Sequence, residues 1–211
     1  MSYLLFSTRI ASYLVRKTNL NEEKEEVLAY AIEVLSLNLL NVTLSLLIGY
    51  LLGVLPGTLV CLLTVAAIRI FAGGAHSNSP WRCAAITALV FPIMGLIAKK
   101  TTIFIQPLAA DTFMAVSFLI SFAVIYTLAP VDSPSAPIKS KTRRKRLKFF
   151  SLSSFAIITF SVALINYSIQ SGKELQFYIT FGVLWSSFIL TPVGHKLFQT
   201  IDRLKILNRK E

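Results

Sequence analysis

His76 and Cys83 stand seven residues apart in a short polar stretch of an otherwise strongly apolar chain, within Arg69-Ile-Phe-Ala-Gly-Gly-Ala-His-Ser-Asn-Ser-Pro-Trp-Arg-Cys83. A thiol and an imidazole within hydrogen-bond reach form the basic unit of thiol acyl transfer. On one continuous helix the two would share a face but lie roughly 10 Å apart, too far for proton transfer. The residues between them argue against a continuous helix. Gly73 and Gly74 permit positive φ. Ser79-Pro80 reads as a helix start, with Ser79 as N-cap and Pro80 in the first helical position. The chain is therefore expected to fold back, so that His76 on a loop reaches Cys83 in the first turn of the next helix. A thiol near a helix N-terminus and beside a cation carries a larger thiolate fraction. Plainer readings stand beside this one. A lone histidine at a membrane interface makes a headgroup contact, a lone cysteine is a small core residue, and Arg69 snorkels. Functionally, Arg69 would bind a substrate carboxylate or stabilise an oxyanion.

A third, orienting residue is less plain. Glu33 is the best candidate, because an ionisable group inside an apolar span is a functional hypothesis by default. His195 is a rival base with no motif around it. Asp111 falls toward the opposite side of the membrane. Asn38 and Asn41 read as interhelical hydrogen-bond partners. One His and one Cys make no metal site, neither H-E-x-x-H nor G-x-S-x-G occurs, and neither metal nor cofactor is expected.

These residues need a scaffold, and composition indicates which kind. Of 211 residues, 55% are hydrophobic and 15% charged, against roughly 25% charged in soluble domains; the mean hydropathy is +0.67. An all-α integral membrane protein is expected: one polytopic domain over 1–211, with spans near 27–55, 58–71, 83–98, 103–129, 149–169 and 175–198. Pro56-Gly57 reads as a turn between the first two. Residues 1–19 read as an interfacial amphipathic helix, with Tyr3, Phe6, Ile10, Tyr13 and Leu14 on one stripe. Cys61 sits inside an apolar run and reads as core. Two cysteines make no secreted disulfide framework.

A net charge of +11 would raise nucleic acid as a partner for a soluble protein; here it reads as topology and anionic-lipid contact. With six crossings, all but three of the 21 Lys and Arg fall on one side, the exceptions being Lys99, Lys100 and Lys173. That asymmetry places both termini, and the His76–Cys83 stretch, in the cytoplasm. The segment 130–148 reads as a basic cytoplasmic loop, with seven cations in its last ten residues, Lys139 to Lys148.

Arg69, the Gly-Gly-x-His ending at His76 and the cysteine seven residues on resemble the core motif of the accessory gene regulator B (AgrB) family, membrane peptidases of Gram-positive quorum sensing. The resemblance extends over most of the chain, including the six apolar runs and the Pro-containing basic loop before the fifth. It implies that Cys83 is the nucleophile and His76 its general base. It further implies a bacterial cell-membrane enzyme that removes the C-terminal tail of an AgrD-like precursor peptide and cyclises the product to a thiolactone or lactone. A homodimer is also implied. Arg143, Arg144, Lys145 and Arg146 would then meet the acidic tail of such a precursor. The alternative is a small membrane transporter with Glu33 and Asp111 on its pathway, which would tolerate loss of Cys83.

Overall fold

The computed structural model describes residues 5–18, 23–77, 79–132, 138–168 and 172–203. Among them are eight α-helices: α1 (Leu5–Thr18), α2 (Glu23–Leu51), α3 (Leu55–Ala72), α4 (Pro80–Phe104), α5 (Pro107–Leu128), α6 (Lys141–Ser168), α7 (Lys173–Phe188) and α8 (Pro192–Arg203). Five of these, α2 to α6, are long and apolar enough to cross a membrane. The pair α7–α8, bent by 79°, makes a sixth candidate span. The protein is an all-α membrane protein, as its composition implies: in hydrocarbon the backbone must satisfy its own hydrogen bonds, and helices do so locally.

Helix α3 is central, packed by α2, α4, α6 and α7. Ile68 and Ala72 join Ile125, Val183 and Leu190 in one buried cluster. Cys61 and Val65 join Phe91, Met94 and Phe177 in another. Small residues let the backbones approach closely: a Cβ at Gly182 would lie 2.8 Å from the Thr64 side chain. Large apolar side chains such as Leu39, Leu63, Leu119 and Phe160 point outward, as lipid-facing residues do.

Several boundaries differ from the sequence reading, each for a local reason. The α2–α3 turn is Leu52-Gly53-Val54, with Gly53 at φ 67°. Pro56 instead falls in the first turn of α3, where a missing N–H costs nothing. Lys99 and Lys100 do not end the third span: α4 continues to Phe104, and Lys99 Nζ donates to the Gly53 carbonyl at 3.1 Å. The basic run from Lys139 to Lys148 is helical from Lys141 on, where α6 starts; Lys and Arg are good helix formers. The sixth apolar run does not continue to Phe198. It stops at Phe188, and Pro192 opens a new helix, since the residue before proline avoids the α region. The corner is stitched by Thr191, whose Oγ1 donates to Phe188 O at 2.7 Å and accepts from Gly194 N at 3.1 Å.

In α1, the buried stripe is Ser7, Ala11 and Val15, against α2. Phe6, Ile10 and Tyr13 face outward, the disposition an interfacial helix needs. Ser12 Oγ donates to the Glu25 carboxylate, fixing α1 on α2.

Candidate active site between α3 and α4

The last turn of α3 and the loop after it are fastened by backbone bonds to two other parts of the chain. Gly73 N donates to Arg69 O at 2.9 Å, and Val131 N to Ala72 O at 2.9 Å, so Gly73 pairs with Val131 in a parallel bridge. Ala75 N donates to Ile189 O, in the α7–α8 corner, at 2.8 Å. Both glycines have positive φ, 75° at Gly73 and 123° at Gly74. A Cβ at Gly73 would run into the Val131 carbonyl, and one at Gly74 would sit 3.0 Å from the Ile189 side chain. The expected role of this pair in shaping the loop has a concrete cause: only glycine fits there.

Arg69 closes the loop from inside. Its Nη2 donates to Ala75 O at 2.9 Å, and its guanidinium lies within electrostatic reach of the Cys83 thiol.

Cys83 is a free, half-buried thiol. It sits in the first turn of α4, behind Ser79 at the N-cap and Pro80, and its N–H donates to Ser79 O at 3.0 Å. The position matches the sequence expectation, although the Ser79 side chain makes no capping bond. Cys61 contrasts with it: fully buried, with its thiol donating to Tyr178 O at 3.2 Å.

His76 is half-buried, with Nδ1 3.2 Å from Ser77 O. A carbonyl can only accept, so Nδ1 carries the proton in this contact and Nε2 is left with its lone pair in the neutral ring. Among the described residues the ring makes no hydrogen bond to Cys83.

Side chains the sequence reading passed over join this arrangement. Ser77 is buried; its Oγ donates to Asp202 Oδ1 of α8 and accepts from Ser79 N at 3.2 Å. Arg82 donates to Asp202 O and lies 3.6 Å from its carboxylate. The only signal in the sequence is that Asp202 is the sole Asp or Glu between Glu174 and Glu211.

The other candidates are dispersed. Ser45 Oγ donates to Thr87 O at 2.9 Å and Lys99 reaches Gly53, so α2 and α4 run parallel in a fixed register. That register brings Asn41, one turn before Ser45, level with Cys83. Glu33 is buried on α2 but lies about 12 Å farther along the axis. Asp111 is exposed near the start of α5, the end away from Val131. His195 lines a cavity of about 620 Å³ with Leu128, Val131, Lys196 and Arg203; its Nε2 is buried without a hydrogen-bond partner among the described residues. In the basic cluster, Arg144 is engaged by Asp132 through bonds of 2.7 and 2.8 Å, whereas Arg143, Lys145 and Arg146 are exposed.

The sequence pattern of the family described as accessory gene regulator B matches residues 7–190. The chain belongs to the AgrB family. Among its relatives, the putative AgrB-like protein 2 of Clostridium perfringens is 28% identical over 202 residues, covering 93% of this chain and 94% of that protein. The accessory gene regulator protein B of Staphylococcus aureus strain MW2 is 25% identical over 186 residues, 88% and 92% of the two chains. The putative AgrB-like protein of Listeria innocua is 22% identical over 196 residues, 92% and 90%. No solved structure matches. In this AgrB-family chain the matched region contains Arg69, His76 and Cys83 and ends just before α8.

Proposed function

We propose that this AgrB-family protein is a membrane cysteine endopeptidase of an agr quorum-sensing system that cuts an AgrD-like precursor peptide and cyclises the product. The observation that carries the reading is the placement of Cys83 in the first turn of α4, within electrostatic reach of Arg69. Its loop neighbour His76 has a ring whose Nε2 is left as the base.

In the first step His76 Nε2 takes the Cys83 proton, and the thiolate attacks the peptide carbonyl before the acidic tail. The C–N bond breaks as His76 returns the proton to the leaving amine, giving a thioester at Cys83 and a free tail. A Cys thiol or Ser hydroxyl within the same peptide, deprotonated by His76, then attacks the thioester. Cys83 leaves as thiolate and is reprotonated, and the ring closes as a thiolactone or lactone. Thioester exchange is nearly isoenergetic, so a thiolactone forms without ATP. The bound peptide offers its nucleophile at high effective molarity, which lets cyclisation outrun hydrolysis. Arg69 holds the loop before His76 through Ala75 O and offers a cation to the developing oxyanion, and the exposed cations Arg143, Lys145 and Arg146 attract the acidic tail. The enzyme works as a homodimer in the bacterial cell membrane, with both termini cytoplasmic and its basic face on anionic lipid.

The test uses purified protein in liposomes with a synthetic AgrD-like precursor, amphipathic, with an internal Cys and an acidic C-terminal tail; products are read by mass spectrometry. Wild type releases the tail and Cys83 carries a thioester adduct, while Cys83→Ala and His76→Ala lose on the order of 1,000-fold or more in rate. Equal cutting by Cys83→Ala would overturn the peptidase reading. Transport of intact peptide, independent of Cys83, would favour a transporter instead.

A further inference from the structure

We infer that Asp202, on α8, is the positioning residue of the His76–Cys83 site; the inference rests on the peptidase reading above and goes beyond it. One carboxylate-bearing residue reaches the immediate neighbours of both reactive side chains. Toward His76, Asp202 Oδ1 accepts from the hydroxyl of Ser77, and Ser77 is the residue whose carbonyl receives His76 Nδ1–H. Toward Cys83, the carbonyl oxygen of Asp202 accepts from Arg82 Nη1, and the Asp202 carboxylate lies 3.6 Å from the same nitrogen. Ser77 Oγ in turn accepts from Ser79 N, the N-cap of the helix that carries Cys83. The clamp thus spans the loop from His76 to the first turn of α4.

Its chemistry follows from the imidazole. A general base works from one ring nitrogen only if the other is held as N–H in a fixed direction. Here a backbone carbonyl holds it, and a carbonyl in a glycine-containing loop is no better fixed than the loop itself. Ser77 is buried, and its hydroxyl is held from both sides, donating to Asp202 and accepting from Ser79. Asp202 therefore does indirectly what the third member of a catalytic triad does directly, orienting the ring without touching it. Glu33, the expected orienting residue, lies two turns from the level of Cys83. The clamp is anchored by the α7–α8 corner, where Ile189 O binds Ala75 N. Helix α8 thereby becomes part of the active site although it lies beyond the matched family region.

The test compares Asp202→Ala, Asp202→Asn and Ser77→Ala with wild type as full-length protein in liposomes, with two readouts. The first is cleavage of the synthetic AgrD-like precursor, resolved into kcat and KM. The second is the rate of iodoacetamide alkylation at Cys83, followed by peptide mapping and independent of any peptidase activity. Asp202→Ala should lower kcat by 10- to 100-fold, the order that a misplacement of about 1 Å produces, with KM changed less than threefold. Cys83 alkylation should change by at least threefold. Asp202→Asn, whose amide oxygen still accepts from Ser77, should stay within about threefold of wild type in kcat. Ser77→Ala should reproduce the kcat loss, and the double variant should lose no more than the worse single one.

Full kcat in both Asp202→Ala and Ser77→Ala, with Cys83→Ala inactive, would overturn the clamp while leaving the peptidase reading intact. If Cys83→Ala also cut the precursor, the peptidase reading would fall, and unchanged Cys83 alkylation in Asp202→Ala would overturn the clamp separately. Should Asp202→Ala fail to fold, Ser77→Ala and Asp202→Asn carry the decision. Loss of kcat in the first with retention in the second supports positioning, and equal loss in both overturns it.

Discussion

Arg69 Nη2 and the carbonyl oxygen of Ala75 are 2.9 Å apart, so the last turn of α3 holds the loop residue immediately before His76. The same guanidinium interacts electrostatically with the Cys83 thiol. One side chain therefore links the loop that carries His76 to Cys83 at the start of α4.

Arg69→Ala is expected to remove both effects. Cys83 alkylation should slow once the neighbouring cation is gone, and precursor cleavage should fall by on the order of 10- to 100-fold. Arg69→Lys keeps the cation but not the planar fork. It should recover alkylation more fully than cleavage. Equal recovery of both would mean that the bond to Ala75 does not matter for catalysis.

Two glycines with positive φ differ in what a side chain would cost. Gly53, at φ 67°, has open space around it, whereas a Cβ at Gly73, at φ 75°, meets the Val131 carbonyl. Gly53→Ala should cost about 1–2 kcal/mol for the left-handed backbone alone. Gly73→Ala costs more on both counts: at φ 75°, ψ −139° the backbone lies in a nearly glycine-only region, and the Cβ would collide with the Val131 carbonyl and break the pairing. Thermal unfolding in detergent should rank Gly73→Ala well below Gly53→Ala, with activity lost only in the former. The same midpoint for both would mean that the bridge yields freely.

The contrast between these glycines also marks what the sequence could reveal. Apolar runs and charge placement made the helices legible, and Gly73-Gly74 with Ser79-Pro80 marked the break between α3 and α4 that puts His76 on a loop; the expected reach of His76 to Cys83 is not made as a hydrogen bond among the described residues. The break at Ile189–Thr191 was hidden because residues 175–198 are apolar on average; only the local effect of Pro192 on the residue before it marks the corner. Asp202 was invisible for a related reason. Its partners Ser77 and Arg82 are more than 100 residues away in sequence and meet it only because α8 folds back over the loop. Periodicity and motif spacing describe neighbours along one element, and a contact made across a corner leaves no such trace.

The basic cluster divides into one structural and several free cations. Arg144 is paired with Asp132 in an exposed ion pair with side-chain exposures of 48% and 37%, so Arg144→Gln should change stability by no more than about 1 kcal/mol. Arg143, Lys145 and Arg146 project outward. Replacing all three with Gln should weaken binding of the acidic-tailed precursor to the liposome-reconstituted protein and flatten the salt dependence of that binding. Binding unchanged at low salt would remove these residues from precursor recognition.

Helix α8 should lie along the membrane surface. Helix α7 has 16 residues, about 24 Å at 1.5 Å per residue, short of the roughly 30 Å hydrocarbon core. The 79° bend turns the chain away from the membrane normal. Val193 and Leu197, one turn apart on α8, are exposed apolar residues, whereas Gln199 and Thr200 line the cavity with Lys196 and Arg203. Cysteines introduced singly at 193, 197 and 199 and labelled with a polarity-sensitive fluorophore should report lipid at 193 and 197 and water at 199. In an unbroken sixth span the labels would instead report increasing depth with distance from residue 203. The bend would then belong to a different state of the protein, and the Asp202 clamp would open with it, since α8 reaches Ser77 only by folding back.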